Sequence, residues 1–385
     1  MIPTRSARGG PANDRRPAGE DSAAAPRTPR DGSATGPRLV RSGSATVLRL
    51  PGDRSVVFRP RALIAGACWA LLALVAAVLT LGGGDDPMSP SDVVRILTGG
   101  GTPAEDFIVN ELRLPRLVTA LLVGAALALA GALLQSLVRN PLGSPDLLGL
   151  TQGASAGALL VVVAGGGSLA LAAGAAAGGV ATGAVLLALT WRNGVHGHRL
   201  VLAGIGAAAI LTGVNGYLMT RAQLMEAARA LLWITGSLDG RGWKDALPLL
   251  VAMAVLVPVA LGCARALAVT EMGDDVALGL GVRVNALRLT LSAAAVLLAS
   301  FAAAAAGPVA FVALTAPQLA RRTTRAPGPG PLASMFAGAA LLVCADWAAQ
   351  RLFDDRQLPV GVLTGLLGGG YLVWLLAAGR RAGRI

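Results

Sequence analysis

The chain has 385 residues, 54% of them hydrophobic and only 14% charged, with a mean hydropathy of +0.63 and a formal net charge of +12. A soluble domain is usually about a quarter charged, so the composition excludes an ordinary soluble protein and indicates a polytopic membrane protein with one integral domain. Nucleic acid is excluded by where the charge sits: 12 Arg stand against 5 Asp/Glu in residues 1–61, more Arg cluster between apolar segments, and aromatics for base stacking are scarce.

Residues 1–58 are rich in Arg, Pro, Ala, Gly and Ser and lack apolar periodicity. That composition predicts a disordered basic arm in the cytoplasm. It is not a signal peptide, because no short apolar core precedes residue 60. The transmembrane domain is expected over 59–385. Ten membrane segments follow, at about 62–81, 116–138, 151–166, 169–191, 199–220, 243–264, 285–306, 308–322, 332–352 and 359–378. The third and eighth are short for a full crossing, which predicts tilted or re-entrant helices. An even number puts both termini on one side. Arg59 and Arg61 before the first segment, and Arg380, Arg381 and Arg384 after the last, put that side in the cytoplasm.

Cys68, Cys263 and Cys344 are far apart and no C-x-x-C occurs, so no disulfide framework or zinc site is expected. His196 and His198 lie in an Arg-flanked turn and read as solvated. No metal or other cofactor is expected. Lys244 is the only lysine and Asp245 follows it, so the standard phosphate loop for ATP hydrolysis is absent. Asp346 is the one acid clearly inside an apolar segment. Such a charge is costly; it reads either as functional or as a helix tie to Arg351 or a backbone group.

Four blocks stand out. RLPRLVTALLVGAALALAGALLQSLVRNPLGSPDLLGL opens on Arg113 and Arg116 and reaches Asn140-Pro141-Leu142. AVTEMGDDVALGLGVRV, residues 268–284, is a short polar turn-helix-turn between apolar segments. GPVAFVALTAPQLARR covers 307–322, and AGAALLVCADWAAQRLFDDRQLPVGVLTGLLGG covers 337–369. A weak internal repeat places Gly149, Gly153 and Gly157 after Pro145, and Gly361, Gly365 and Gly369 after Pro359. The helices preceding these two runs are expected to point in opposite directions.

In this order the blocks resemble the FecCD family of ABC-transporter permeases, importers of iron-siderophore complexes, haem and vitamin B12. The resemblance covers about 60–380. Two positions depart from the family pattern, Ala313 for Gly and Gln318 for His, which leaves any role of that His in doubt in this chain.

The resemblance implies an all-α, vitamin B12 permease-like importer fold in a bacterial cytoplasmic membrane. It implies three partners: a separate ATP-binding subunit, an extracytoplasmic substrate-binding protein, and a second permease, identical or paralogous. ATP hydrolysis then belongs to the partner, not to this chain. Arg113, Arg116 and Arg351 match the external arginines on which the binding protein docks. Glu271, Gly273, Asp274, Ala277, Leu280 and Gly281 match the coupling helices. Asn140, Pro141, Leu142 and His198 match the cytoplasmic gate, and Thr212, Asn215 and Thr364 fall near the pathway. The segment WITGSLDGRGW, 233–243, is most similar to the siderophore branch; haem or vitamin B12 remains the alternative cargo. From the residues alone, an ion-coupled secondary transporter stays open, with Asp346 as its membrane acid.

Overall fold

The computed structural model describes residues 38–42, 45–50, 54–58, 60–84, 86–191, 197–326, 328, 330–352 and 357–381. The chain divides into two units, Met1–Ser42 with Thr46–Phe58, and Gly43–Ala45 with Arg59–Ile385. In the first, β1 (Arg38–Ser42), β2 (Ala45–Leu50) and β3 (Arg54–Phe58) form a sheet in that order. β2 and β3 are antiparallel, with Thr46 opposite Phe58 and Leu50 opposite Arg54. The composition of the arm did not point to these strands. Residues 1–37 lie outside the described residues.

The second unit is all-helical. Its helices are α1 (Pro60–Gly82), α2 (Pro90–Leu97), α3 (Pro103–Asp106), α4 (Leu114–Val138), α5 (Leu150–Val163), α6 (Ser168–Thr190) and α7 (Gly197–Arg221). They continue as α8 (Leu224–Ile234), α9 (Trp243–Thr270), α10 (Asp274–Gly279), α11 (Val284–Ala306), α12 (Val312–Thr324), α13 (Pro331–Ala349) and α14 (Val360–Arg381). Among the described residues, seven helical stretches are long and apolar enough to cross a membrane, and Leu150–Val163 and Val360–Leu375 are further apolar helical stretches. Each of the ten expected segments holds one helix.

The two short segments are short for a visible reason. α5 has 14 residues and α12 has 13; at 1.5 Å per residue they span only about 20 Å of a hydrocarbon core about 30 Å thick. An irregular link precedes each of them. The link 139–149 starts at Arg139 with φ 53° and ends at Gly149 with φ 73°, and the link 307–311 runs from Gly307 at φ 74° to Phe311 at φ 65°.

α4 is the central post, buried almost all round. Small residues let its neighbours approach closely. A methyl group on Gly124 would strike the Gly338 backbone of α13, and one on Gly131 would strike Ala313 of α12. Gly153 and Gly157 of α5 face Gly178 and Gly174 of α6 in the same way. The first glycine run of the repeat is therefore an internal seam. In the second run only Gly361 is in close contact, against the Thr235 carbonyl, while Gly365 and Gly369 face open space. The helices ahead of the two runs do oppose each other: Arg116 meets Asp346 while Gly124 meets Gly338, so α4 and α13 are antiparallel.

Two stretches expected as loops are helical. In 82–115, capping boxes at Ser89/Asp92 and Thr102/Glu105 start α2 and α3. α3 then passes through a π-helical turn at Phe107–Arg113 into α4, so Arg113 and Arg116 sit on one continuous helix. In 221–242, α8 is an additional short helix with the Glu226 carboxylate accepting from the Gln223 N–H at 3.2 Å.

Candidate functional site

At one end of the bundle a knob projects. Gly273, at φ 125°, and Gly281, at φ 79°, adopt backbone conformations that favour glycine. They fold the chain sharply on either side of the single turn α10. Ala277 is fully buried beneath the knob, whereas Met272 and Leu280 are each 65% exposed. Asp274 anchors it: its carboxylate accepts from Arg139 at 2.6 Å and from Arg288 of α11 at 3.0 Å. Arg139 also donates to the Thr270 carbonyl. Glu271 caps the end of α9. The residues expected for coupling thus form one knob, and Asp274 ties it to the residue just ahead of Asn140.

The turn at Asn140 is built locally. Asn140 Oδ1 accepts from the Leu142 N–H at 2.9 Å, and the Pro141 carbonyl accepts from Gln318 Nε2 at 2.8 Å. Gln318, which departs from the family's His, therefore joins α12 to this turn. His198 is exposed at the start of α7; His196 lies outside the described residues.

A cavity of about 690 Å³ opens above that turn. Thr212 and Asn215, expected near the pathway, and Leu142, expected in the gate, line it with Ser144, Asp146 and Phe311. Asn215 Nδ2 donates to the Gln152 carbonyl at 3.1 Å, which fixes α7 against α5. Thr364 is placed differently. It is buried and donates to the Gly361 carbonyl at 3.1 Å, and Gly361 is the α14 residue nearby that lines the cavity. A threonine hydroxyl within a helix readily turns back onto its own backbone.

At the opposite end the three expected docking arginines separate into different environments. Arg113 donates to the Leu81 and Asp86 carbonyls at 2.9 and 2.8 Å. Arg351 lies over the Trp347 ring at 4.8 Å and against Gly83, where any side chain would collide with its guanidinium. Arg116 is engaged most deeply. Its Nε and Nη2 donate to the two Asp346 oxygens at 3.1 and 2.9 Å, and Nη1 donates to Gln357 at 3.1 Å. Gln350 adds a bond to Asp346 at 2.7 Å. Asp346 is therefore tied to Arg116, not to Arg351 or a backbone group. Arg113, Arg116 and Arg241 line a cleft of about 420 Å³ shared with Asp86, Glu111 and Asp239. Burial holds the Arg241 guanidinium below its ordinary pKa, opposed by Asp245 and Asp239.

Sequence reasoning missed Arg139, Arg288 and Asp146. Arg139 was adjacent to a recognised motif; Arg288 and Asp146 gave no signal apart from being charges at the edges of apolar runs.

Residues 71–378 match the FecCD transport family. The chain is similar to the ferric enterobactin transport system permease protein FepG of Escherichia coli, with 42% identity over 315 residues, 82% of this chain and 94% of that protein. It is also similar to the achromobactin transport system permease protein CbrC of Dickeya dadantii, with 39% identity over 311 residues, 80% of this chain and 89% of that protein. A solved inward-facing structure of a putative metal-chelate type ABC transporter superimposes with a TM-score of 0.72 at 26% identity, covering 81% of this chain and 98% of that one. A match across nearly the whole helical unit, on a fold with the same arrangement, makes this chain a member of the FecCD transport family.

Proposed function

We propose that this chain is the permease subunit of a binding-protein-dependent ABC importer that carries ferric siderophores into the cytoplasm by alternating access. The observation that carries this reading is the knob. Its exposed Met272 and Leu280 suit a groove on a soluble subunit, and Asp274 connects it through Arg139 to the turn that bounds the cavity. A push on the knob is thereby delivered to Asn140, Pro141 and Leu142, the gate. The knob end faces the cytoplasm with both termini, and its partner is the ATP-binding subunit. Ferric siderophores are favoured as cargo because the relatives at 42% and 39% identity carry names of siderophore systems.

The binding protein docks at the opposite end, around Arg113, Arg116 and Arg351. Charges across such a surface steer encounter and set orientation. A second permease, identical or paralogous, completes the pathway by facing α7 and α14, whose outward surfaces carry exposed Leu202, Ile210, Leu366 and Val373.

The test is reconstitution. The chain alone in liposomes should hydrolyse no ATP. With an ATP-binding subunit and a binding protein encoded beside it, it should take up radio-iron-labelled ferric enterobactin or hydroxamate only when ATP is supplied. Uptake that persists without the ATPase and collapses with the proton gradient would replace this reading with a secondary transporter.

A further inference from the structure

The last two turns of α12 reach into several neighbouring elements, and the route from knob to gate uses none of these contacts. Arg321 Nη2 donates to Ser136 Oγ in the last turn of α4 at 3.1 Å, and Trp69 Nε1 of α1 donates to Thr323 Oγ1 at 3.1 Å. Gln318 is buried, and its Nε2 donates to the Pro141 carbonyl of the gate turn at 2.8 Å. The end of α12 is therefore built into one block with the end of α4 and the gate turn.

The same face of α12 also holds α14. Arg322, four residues after Gln318 and so on the same side of the helix, places its guanidinium 5.6 Å from the Tyr371 ring and 5.3 Å from the Trp374 ring. A cation that close to aromatic rings is attracted by their electron-rich faces. The two rings stand 6.0 Å apart on α14, tilted by 31°, so one guanidinium meets both. The Tyr371 hydroxyl adds a long bond, 3.4 Å, to Gln318 Oε1. The Gln318 amide is thus used at both ends, its N–H toward the gate turn and its carbonyl toward α14. Of the glycines in this part of α14, Gly365, Gly369 and Gly370 face open space, and Gly368 lies against Phe311. Both elements that α12 joins belong to the cavity wall: Leu142 of the gate turn and Leu372, next to Tyr371, line it.

We infer that Gln318 and Arg322 are positioning residues for transport: they tie α14 around Tyr371 to the block that carries the gate turn, so that the two parts of the cavity wall bearing Leu142 and Leu372 move together. The inference rests on the permease reading. With both ties in place, a push delivered at the end of α4 carries the gate turn and α14 in step. With either tie cut, the turn moves without α14, and ATP is hydrolysed without a matching passage of cargo.

The experiment uses the assembled importer in nanodiscs and proteoliposomes, with wild type, Gln318→Met, Gln318→His, Arg322→Met, and Gln318→Met combined with Arg322→Met. Methionine keeps the bulk of Gln318, and Pro141 is exposed, so water can meet its carbonyl once the amide is gone. Hydrogen exchange needs no cargo. Losing a neutral hydrogen bond shifts a local opening by about three- to tenfold, so Gln318→Met should speed exchange at Asn140, Leu142 and Gly143 by that factor. Arg322→Met should leave those amides unchanged and speed exchange over residues 370–375 by about threefold. In proteoliposomes, radio-iron-labelled ferric enterobactin taken up per ATP hydrolysed should fall by about three- to tenfold in each single variant. The KM for loaded binding protein should not move. Because the two ties act in series, the double variant should lose no more than the worse single one. Gln318→His keeps a ring N–H for the Pro141 carbonyl and should recover most of the protection and the uptake. Should Arg322→Met fail to assemble, Trp374→Leu, at the exposed ring of the pair, takes its place. Wild-type exchange at the gate turn in Gln318→Met, wild-type uptake per ATP in either single variant, or losses that multiply in the double would overturn the inference. Absence of uptake by wild type would instead count against the permease reading, leaving hydrogen exchange to judge the two ties.

Discussion

Arg116 and Asp346 allow the clearest separation of a structural charge from a docking charge. Arg116 exposes 15% of its side chain and Asp346 only 2%, and two N–H···O bonds at 2.9 and 3.1 Å join them. Removing either partner strands the other in a poorly solvated site, at about 3–5 kcal/mol. Replacing both with apolar residues of similar size is often neutral or even stabilising. We therefore expect Arg116→Met and Asp346→Leu each to lower the thermal midpoint of the purified chain by several degrees. The double variant should recover most of the loss, with a coupling of about 2–3 kcal/mol. Arg116→Glu should be worse than either, because it sets a second carboxylate beside Asp346. Binding-protein affinity, measured on the same samples at two ionic strengths, completes the assay. Arg113→Glu should weaken docking, with the loss shrinking as salt screens the charges. Asp346→Asn, which releases the Arg116 charge, should leave docking equal or stronger while destabilising the chain. Single variants each within about 1 kcal/mol of wild type, and additive in the double, would refute the tie.

Three further outcomes are expected. Gly273→Val meets open space but must adopt a φ of 125°; it should cost about 1–3 kcal/mol and weaken capture of the ATP-binding subunit in a pull-down, and normal capture would remove the knob from that contact. Gly157→Leu drives a side chain into the Gly174 backbone of α6; it should abolish a stable purified chain, and wild-type yield and melting would dismiss the seam. The Asp92 and Glu105 carboxyls are held below their ordinary pKa values by the Ser89 and Thr102 capping groups. Since their folded-state pKa values are depressed, the stability they lend is present above the unfolded values of 3.8 and 4.5 and is lost as pH falls through the folded ones. Hydrogen exchange in α2 and α3 should therefore rise selectively in acid, and pH-independent exchange there would contradict the capping account.

The sequence by itself determined roughly where the apolar helices lie, one in each of the ten expected segments, and that the third and eighth are short. Those properties follow from run length against bilayer thickness and from chain-breaking residues, all of them local. The Gly-x-x-x-Gly spacing announced a repeat, of which the first run, with Gly153 and Gly157, packs as a seam against α6 while Gly365 and Gly369 of the second face open space. It also determined the family, because ordered blocks such as Asn140-Pro141-Leu142 and Gly307 to Arg322 survive without knowledge of the fold. Only the tertiary structure decided the pairings. Arg116 meets an acid 230 positions away, Asp274 is shared between Arg139 and Arg288, and Gln318 reaches Pro141 across 177 positions. The arm's β2–β3 register and the helical character of 82–115 were equally invisible. The reason is physical. A helix that is apolar all round carries no amphipathic stripe to say which face points inward. Which charge meets which is then set by how the small residues let helices close on one another, a long-range outcome that no local pattern encodes.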